Sequence, residues 1–151
     1  MEDARLLWQW ANDPDTRRNA FTHAPVAYKD HVRWLERKLA SDSCAMWMFS
    51  DDDATVGQVR FDIAGHVADI DISVAPERRG RGYGRTMLAQ AVENLRGERG
   101  INVRPRAVVL AHNAASLRMF KACGFHETGV DDRDASEPAL VLEPVDFQRS
   151  A

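Results

Sequence analysis

From Val74 to Leu88 the chain reads VAPERRGRGYGRTML, in which Arg78, Arg79, Arg81 and Arg85 interleave with Gly80, Gly82 and Gly84. Arginine offers charge-assisted, often bidentate hydrogen bonds to anions. Glycine lets the backbone come close to a ligand. The run that follows, GRTMLAQAVENLRGERG, carries Met87, Leu88, Ala91, Val92 and Leu95 on one stripe, the pattern of an amphipathic helix. The loop therefore leads into a helix whose first-turn N–H groups have no intrahelical partners and carry the positive end of the macrodipole. Such an arrangement suits a phosphate or pyrophosphate group. The plainer alternative is a solvated basic turn. Two common phosphate motifs fail on spacing. The dinucleotide fingerprint is G-x-G-x-x-G after the first strand of a βαβ unit, but the glycines here run Gly80-x-Gly82-x-Gly84, and no Gly-Lys-Ser/Thr ending marks a P-loop.

A strand must present this loop. HVADIDISVA, just before it, alternates Val67, Asp69, Asp71 and Ser73 with Ala68, Ile70, Ile72 and Val74, so one face is apolar and the other, Val67 apart, is polar. Upstream, AMWMFS and TVGQVRFDI flank the polar turn DDDA and read as a hairpin. LLWQWA is a short helix stopped by Asn12-Asp13-Pro14. YKDHVRWLERKLA is a second helix with Val32, Leu35 and Leu39 on one face, His31, Trp34 and Lys38 beside it, and Asp30 as N-cap. Gly97 and Gly100 end the helix after the loop. RAVVLA follows as a buried strand, then NAASLRMFKACGF as a helix capped by Asn113 and closed by Gly124. PALVLEPV is the last strand, after the polar loop DDRDASE, and residues 125–130 fit one more short strand. The order ααβββαβαβ is an α/β fold of the α+β kind: a mixed sheet flanked by helices, not a regular βαβ array.

The 151 residues suit one domain, 1–151, with a single sizeable core. A net charge of −3 excludes a general binder of nucleic acid, and no apolar run approaches a membrane span. The opening MEDARLLWQW lacks a signal-peptide pattern, and Cys44 and Cys123 lie far apart and form no metal-type pair. The expectation is a metal-free cytoplasmic protein with reduced thiols.

Arg79-Gly80-Arg81-Gly82-Tyr83-Gly84 resembles the R/Q-x-x-G-x-G/A signature of the GCN5-related N-acetyltransferases, the GNAT superfamily, and follows a strand ending SVAPE as that motif does. NAASLRMFKACGF is similar to the same family's N-x-x-S/A-x-x-x-[YF]-x-x-x-GF element. The resemblance implies a GNAT-like fold and acetyl-CoA as donor. It implies that Arg79, Gly80, Arg81, Gly82, Tyr83, Gly84 and Arg85 hold the pyrophosphate. The segment Ile72, Ser73 and Val74 would pair its backbone with the pantetheine arm, beside a splay in the sheet often marked by a bulge, and an exposed N–H there would stabilise the thioester oxyanion. Asn113 and Ser116 would flank the arm or the departing thiol; capping and solvent contact are their plainer roles. The sequence departs from the family where many members carry a tyrosine as acid toward the thiolate: Phe120 has no proton to give. Packing against cofactor or core is its expected role, with Ser116, a water or no dedicated acid serving the thiolate.

The attacking amine must lose a proton. Asp71 and Asp69, on the polar face of the strand before the loop, are the candidate bases; His66 and His112 are further ones. For the acceptor, LWQWANDPDTRRNAF and HVRWLERKL resemble a GNAT subgroup with W-x-N-[DP]…R…F…H-x-x-W, associated with amino sugars of nucleotide-linked saccharides. Trp10, Phe21 and Trp34, with Trp8, would supply stacking surfaces, and Asn12, Arg17 and His31 polar contacts; core packing is the plainer reading of the tryptophans. The resemblance therefore implies a small-molecule amine, first a nucleotide-linked amino sugar, with a protein N-terminus as alternative and a non-catalytic acyl-CoA sensor as a further one. Edge strands or LVLEPV offer a surface for a homodimer.

Overall fold

The computed structural model describes residues 2–132 and 136–145. Part of the polar loop DDRDASE and both ends of the 1–151 domain lie outside them. The elements are α1 (Ala4–Ala11), α2 (Pro14–Arg18), α3 (Tyr28–Leu39), β1 (Cys44–Asp51), β2 (Ala54–Ala64), β3 (Val67–Val74), a 3-10 turn (Pro76–Arg78), α4 (Tyr83–Arg99), β4 (Arg104–Leu110), α5 (Ala114–Ala122), β5 (Phe125–Asp131) and β6 (Ala139–Pro144).

The expected order holds, with two additions. The Asn12-Asp13-Pro14 turn opens a further short helix, α2, because Asp13 accepts from Thr16 N–H at 3.2 Å and Pro14 fits the first helical position. The strand over 125–130 is real. Asp30 is not an N-cap: α3 begins two residues earlier, after Ala27, which places Asp30 in its first turn. Gly97 lies inside α4, and only Gly100, at φ 84°, ends it.

The sheet order is β1-β2-β3-β4-β6-β5, and among the described residues only β3 and β4 pair in parallel. LVLEPV is therefore an interior strand, because β6 is bonded on both sides, and the free edges are β1 and β5. The alternation of the central strands sorts the side chains into two layers. Val59, Phe61 and Ala68 pack with Met87, Ala91 and Leu95 of α4. Leu88 of α4 and Phe120 of α5 join Ala107, Val109, Phe125 and Leu142 on that same face. Ala4, Leu7, Trp10 and Leu35 of α1 and α3 cover the opposite face, with Met46 and Met48. The polar side of β3 thus lies on the α1 and α3 side of the sheet, with Asp69 and Asp71 half-exposed there.

Candidate active site

β3 and β4 pair only from Val67↔Arg104 to Asp69↔Arg106, after which β4 turns to β6 at Ala107↔Leu142. The two strands part, and the rest of β3 loses its partner on that side. Ala75 N–H donates to Val56 O at 2.8 Å, and His66 O accepts from Arg104 N–H at 2.7 Å. In an extended strand the direction of the peptide groups alternates. Ser73 and Asp71 therefore bond toward β2, whereas Val74, Ile72 and Ile70 turn their N–H and C=O groups toward the gap. The splay is present without the expected bulge: β3 runs in unbroken register with β2 from Val67 to Val74.

The gap widens into a cleft of about 760 Å³, lined on one side by Ile72, Ser73 and Val74 and on the other by Asn113, Ser116 and Met119 of α5. Its end is the glycine loop. Gly80 and Gly82 have φ of 74° and 84°, and Gly82 caps α4 with no side-chain hydrogen bond to the first-turn amides. A Cβ on either glycine would meet nothing within 4 Å among the described residues. At Gly84 a Cβ would lie 2.6 Å from Met119 Sδ, so this glycine lets α4 approach α5. The loop offers uncapped amides at a helix N-terminus in open space, the geometry of an anion cradle.

The arginines divide. Arg78 and Arg85 line the cleft, but Arg81 is exposed outside it. Arg79 lines it too, yet its guanidinium turns back to α2, donating to Asp13 Oδ2 at 2.8 Å and Thr16 Oγ1 at 3.2 Å. Burial opposes ionisation of Asp13, but the Arg79 hydrogen bond and the Thr16 N–H outweigh it and hold the carboxyl below its ordinary range. Tyr83 lines the cleft and its hydroxyl donates to Asp51.

Asn113 and Ser116 also line the cleft, and Asn113 Oδ1 accepts from Ser116 N–H at 3.3 Å as the cap of α5. Phe120 does not reach it. The ring is 3 % exposed and packs edge-on against Phe125, 5.2 Å between centroids, so it is core rather than a cofactor contact. Phe120→Ala is expected to destabilise the fold by about 3–5 kcal/mol, read by denaturant unfolding.

The polar face of β3 floors a second cavity of about 460 Å³ under α1 and α3. Thr16, Arg17, Asp71 and Ser73 line both spaces, so the two meet there. Asp71 is half-exposed; its Oδ2 accepts from Gln58 Nε2 at 2.9 Å and lies 3.5 Å from Arg60. Asp69 is elsewhere: two hydrogen bonds, 2.7 and 2.9 Å, bind it to Arg106 at the paired end of β3, so it is an ion-pair partner and lines neither space. His66 occupies the β2–β3 turn and His112 is exposed before α5, both away from the junction.

His31 and Trp34 line the second cavity, their rings 5.4 Å apart, with Arg60 stacked 4.7 Å from the centroid of Trp34. Burial, reinforced by the Arg60 charge, pushes the His31 pKa down. The unfolded chain takes up that proton near pH 6.5, the folded one only at lower pH, so the unfolded state binds more protons in between. The stability His31 contributes is complete above about pH 6.5 and is lost as pH falls through the folded value. His23, raised chiefly by its hydrogen bond to Glu137, has the opposite slope. Thermal midpoints of wild type and His31→Leu across pH 5–7.5 separate the two: the acid-side fall is expected to be shallower in the variant.

Three expected acceptor contacts line neither space. Trp10 is buried among Ala4, Leu7, Leu35 and Ala75 and reaches neither space. Asn12 clips the loop before α3, accepting from Val26 N–H at 2.7 Å and donating to Val26 O at 2.9 Å; Trp8 donates to the same carbonyl. Phe21 is exposed and lines neither cavity. Arg17 remains at the junction, its guanidinium held by the carbonyls of Ala11, Thr22 and Ala24. Gln58 and Arg60, not among the expected residues, also line the second cavity; their signal is two polar residues on one face of the apolar strand TVGQVRF.

A family model described as an acetyltransferase (GNAT) domain matches residues 1–126. The chain belongs to the GNAT acetyltransferase family. It is an acetyl-CoA-dependent N-acetyltransferase. The spermidine N-acetyltransferase of Vibrio cholerae, solved with CoA and spermine, is similar to this GNAT chain at 17% identity and TM-score 0.80, covering 94% of this chain and 89% of that one. A ribosomal-protein-alanine N-acetyltransferase from Brucella melitensis is similar at 24% identity and TM-score 0.75, over 94% and 93%. A domain from Methanocaldococcus jannaschii follows at 18% identity and 0.76, over 94% and 92%. No curated protein matches the chain by sequence. The cleft fits the donor of a GNAT enzyme: a free strand edge for an extended amide-bearing arm, then uncapped amides for a pyrophosphate. Burial raises the pKa of both free thiols, Cys44 and Cys123, and neither lines the cavities, so neither is poised as an acyl carrier. Among the described residues no His, Cys, Asp and Glu cluster could hold a metal, and no helix is long and apolar enough to cross a membrane.

Proposed function

We propose that the cleft beside β3 holds acetyl-CoA, that the cavity under α1 and α3 holds the amine, and that Asp71 takes the amine's proton as it attacks directly. The carrying observation is the shared wall: Asp71 and Ser73 belong to both spaces, so a donor in one and an acceptor in the other meet at a carboxylate. Bound acetyl-CoA supplies an activated acetyl thioester. The α4 amides with Gly80 and Gly82 hold the pyrophosphate, Ile72 and Val74 bind the arm, and Ser116 stands near the thiol side. The outward N–H groups of β3 stabilise charge on the carbonyl oxygen.

The acceptor is a small primary amine that also carries an anionic group, such as a nucleotide-linked amino sugar. Arg17, Arg37 and Arg60 line its cavity against only Asp30 and Asp71, and this excess of positive charge disfavours a polycation. Trp34 supplies a flat face for stacking. The second reading is a protein N-terminus, favoured by the exposed rim at Asp30 and Arg37, which leaves room for an extended chain. Thiol release from acetyl-CoA with a UDP-linked 4-amino sugar, peptides with free N-termini, and spermidine tests the proposal. The highest kcat/KM is expected with the sugar. Turnover of peptides alone overturns the sugar; preference for spermidine overturns the charge reading; CoA binding without turnover of any amine points to a sensor.

A further inference from the structure

We infer that Gln58 is a positioning residue for Asp71, an inference that rests on Asp71 being the base. Gln58 is 4 % exposed on β2, directly across from Ser73. Its amide nitrogen donates to Asp71 Oδ2 at 2.9 Å and to Ser73 Oγ at 3.3 Å. Its carbonyl oxygen is buried and has no hydrogen-bond partner among the described residues. A flipped amide would set that oxygen against the carboxylate, so the orientation follows from the chemistry. An apolar side chain would fill this site with no orphaned acceptor; glutamine carries that penalty while holding two donors on the wall between the cavities.

Arg60, itself set against Trp34, approaches the same oxygen of Asp71 at 3.5 Å. Two groups from β2 thus hold Oδ2, and Oδ1 makes no hydrogen bond among the described residues. This fixes one carboxylate oxygen and presents the other to the incoming amine. Gln58 lines the acceptor cavity but is almost wholly covered there; it acts through the angle and distance of Asp71, to which a proton transfer is sensitive.

Gln58→Met keeps the length of the side chain and removes both donors. With acetyl-CoA and the panel amine of highest kcat/KM, Gln58→Met is expected to lower kcat about 10-fold and leave the KM for acetyl-CoA within two-fold. The double variant with Asp71→Asn should be no slower than Asp71→Asn alone, because both changes remove one unit. A thermal midpoint at or above wild type is expected, since the orphaned carbonyl is gone; if the methionine variant does not fold, Gln58→Leu is read in the same way. Wild-type kcat in Gln58→Met beside an impaired Asp71→Asn overturns the positioning role alone. Wild-type kcat in Asp71→Asn overturns the base assignment, and with it this inference. Fully additive losses in the double variant make Gln58 independent of Asp71 and overturn it too, as does a panel with no turnover.

Discussion

Gly82→Val is expected to weaken CoA binding at least about 10-fold while the protein still folds. Two effects act together. The backbone at position 82 has φ 84°, in the left-handed region where a β-branched residue is strained by about 1–3 kcal/mol. That strain pulls the first turn of α4 away from the geometry that aims its amides outward. The added side chain also enters the open space beside the loop, where a Cβ meets no protein atom. Gly82→Asn separates the two effects, since asparagine tolerates this conformation: its thermal midpoint should stay close to wild type while its affinity for CoA still falls. Isothermal titration with CoA is the measurement. Affinity within two-fold of wild type in Gly82→Val would falsify the placement of the pyrophosphate at this loop.

Asp71→Asn is expected to lower kcat by about 100-fold or more, the size of a general-base contribution, with the KM for acetyl-CoA little changed. The substitution keeps shape and hydrogen-bonding length but removes the ability to accept a proton. Asp69→Asn is the matched comparison. It breaks a half-exposed ion pair with Arg106, which costs little in a solvated position, and its kcat should stay within about three-fold of wild type. Steady-state kinetics with the best acceptor decides between them. Equal losses in the two variants would remove Asp71 from its special place, and an unchanged Asp71→Asn would leave solvent as the proton acceptor.

The elements were legible where one local rule dominated. The β3 alternation, the α4 stripe and the Asn113 cap each rest on contacts within a few residues, so sequence alone reveals them. The second motif was legible as a helix but not in its details: Phe120 sits in the cofactor motif, yet its ring points into the cluster of Leu88, Phe125 and Leu142. Arg79 shows the same limit from the charged side. Its place in an anion loop suggested a phosphate contact, but Asp13 and Thr16, more than sixty positions away, claim the guanidinium. Trp10 and Asn12 looked like a sugar-binding pair because they are neighbours in sequence; one is sealed in the core and the other ties down a loop.

By itself, the order of residues determined the chemistry of the donor side. Glycines at φ-permissive positions before an amphipathic helix make an anion cradle whatever surrounds them, because the amides and the macrodipole belong to the local backbone. Only the tertiary structure decided which carboxylate lies between the two cavities. Asp69 and Asp71 share a strand face and differ by two positions, but the parting of β3 from β4 falls between them. One is left beside Arg106, the other on the wall between two cavities with Gln58 behind it. Strand pairing is a long-range property, so no local pattern distinguishes the two aspartates.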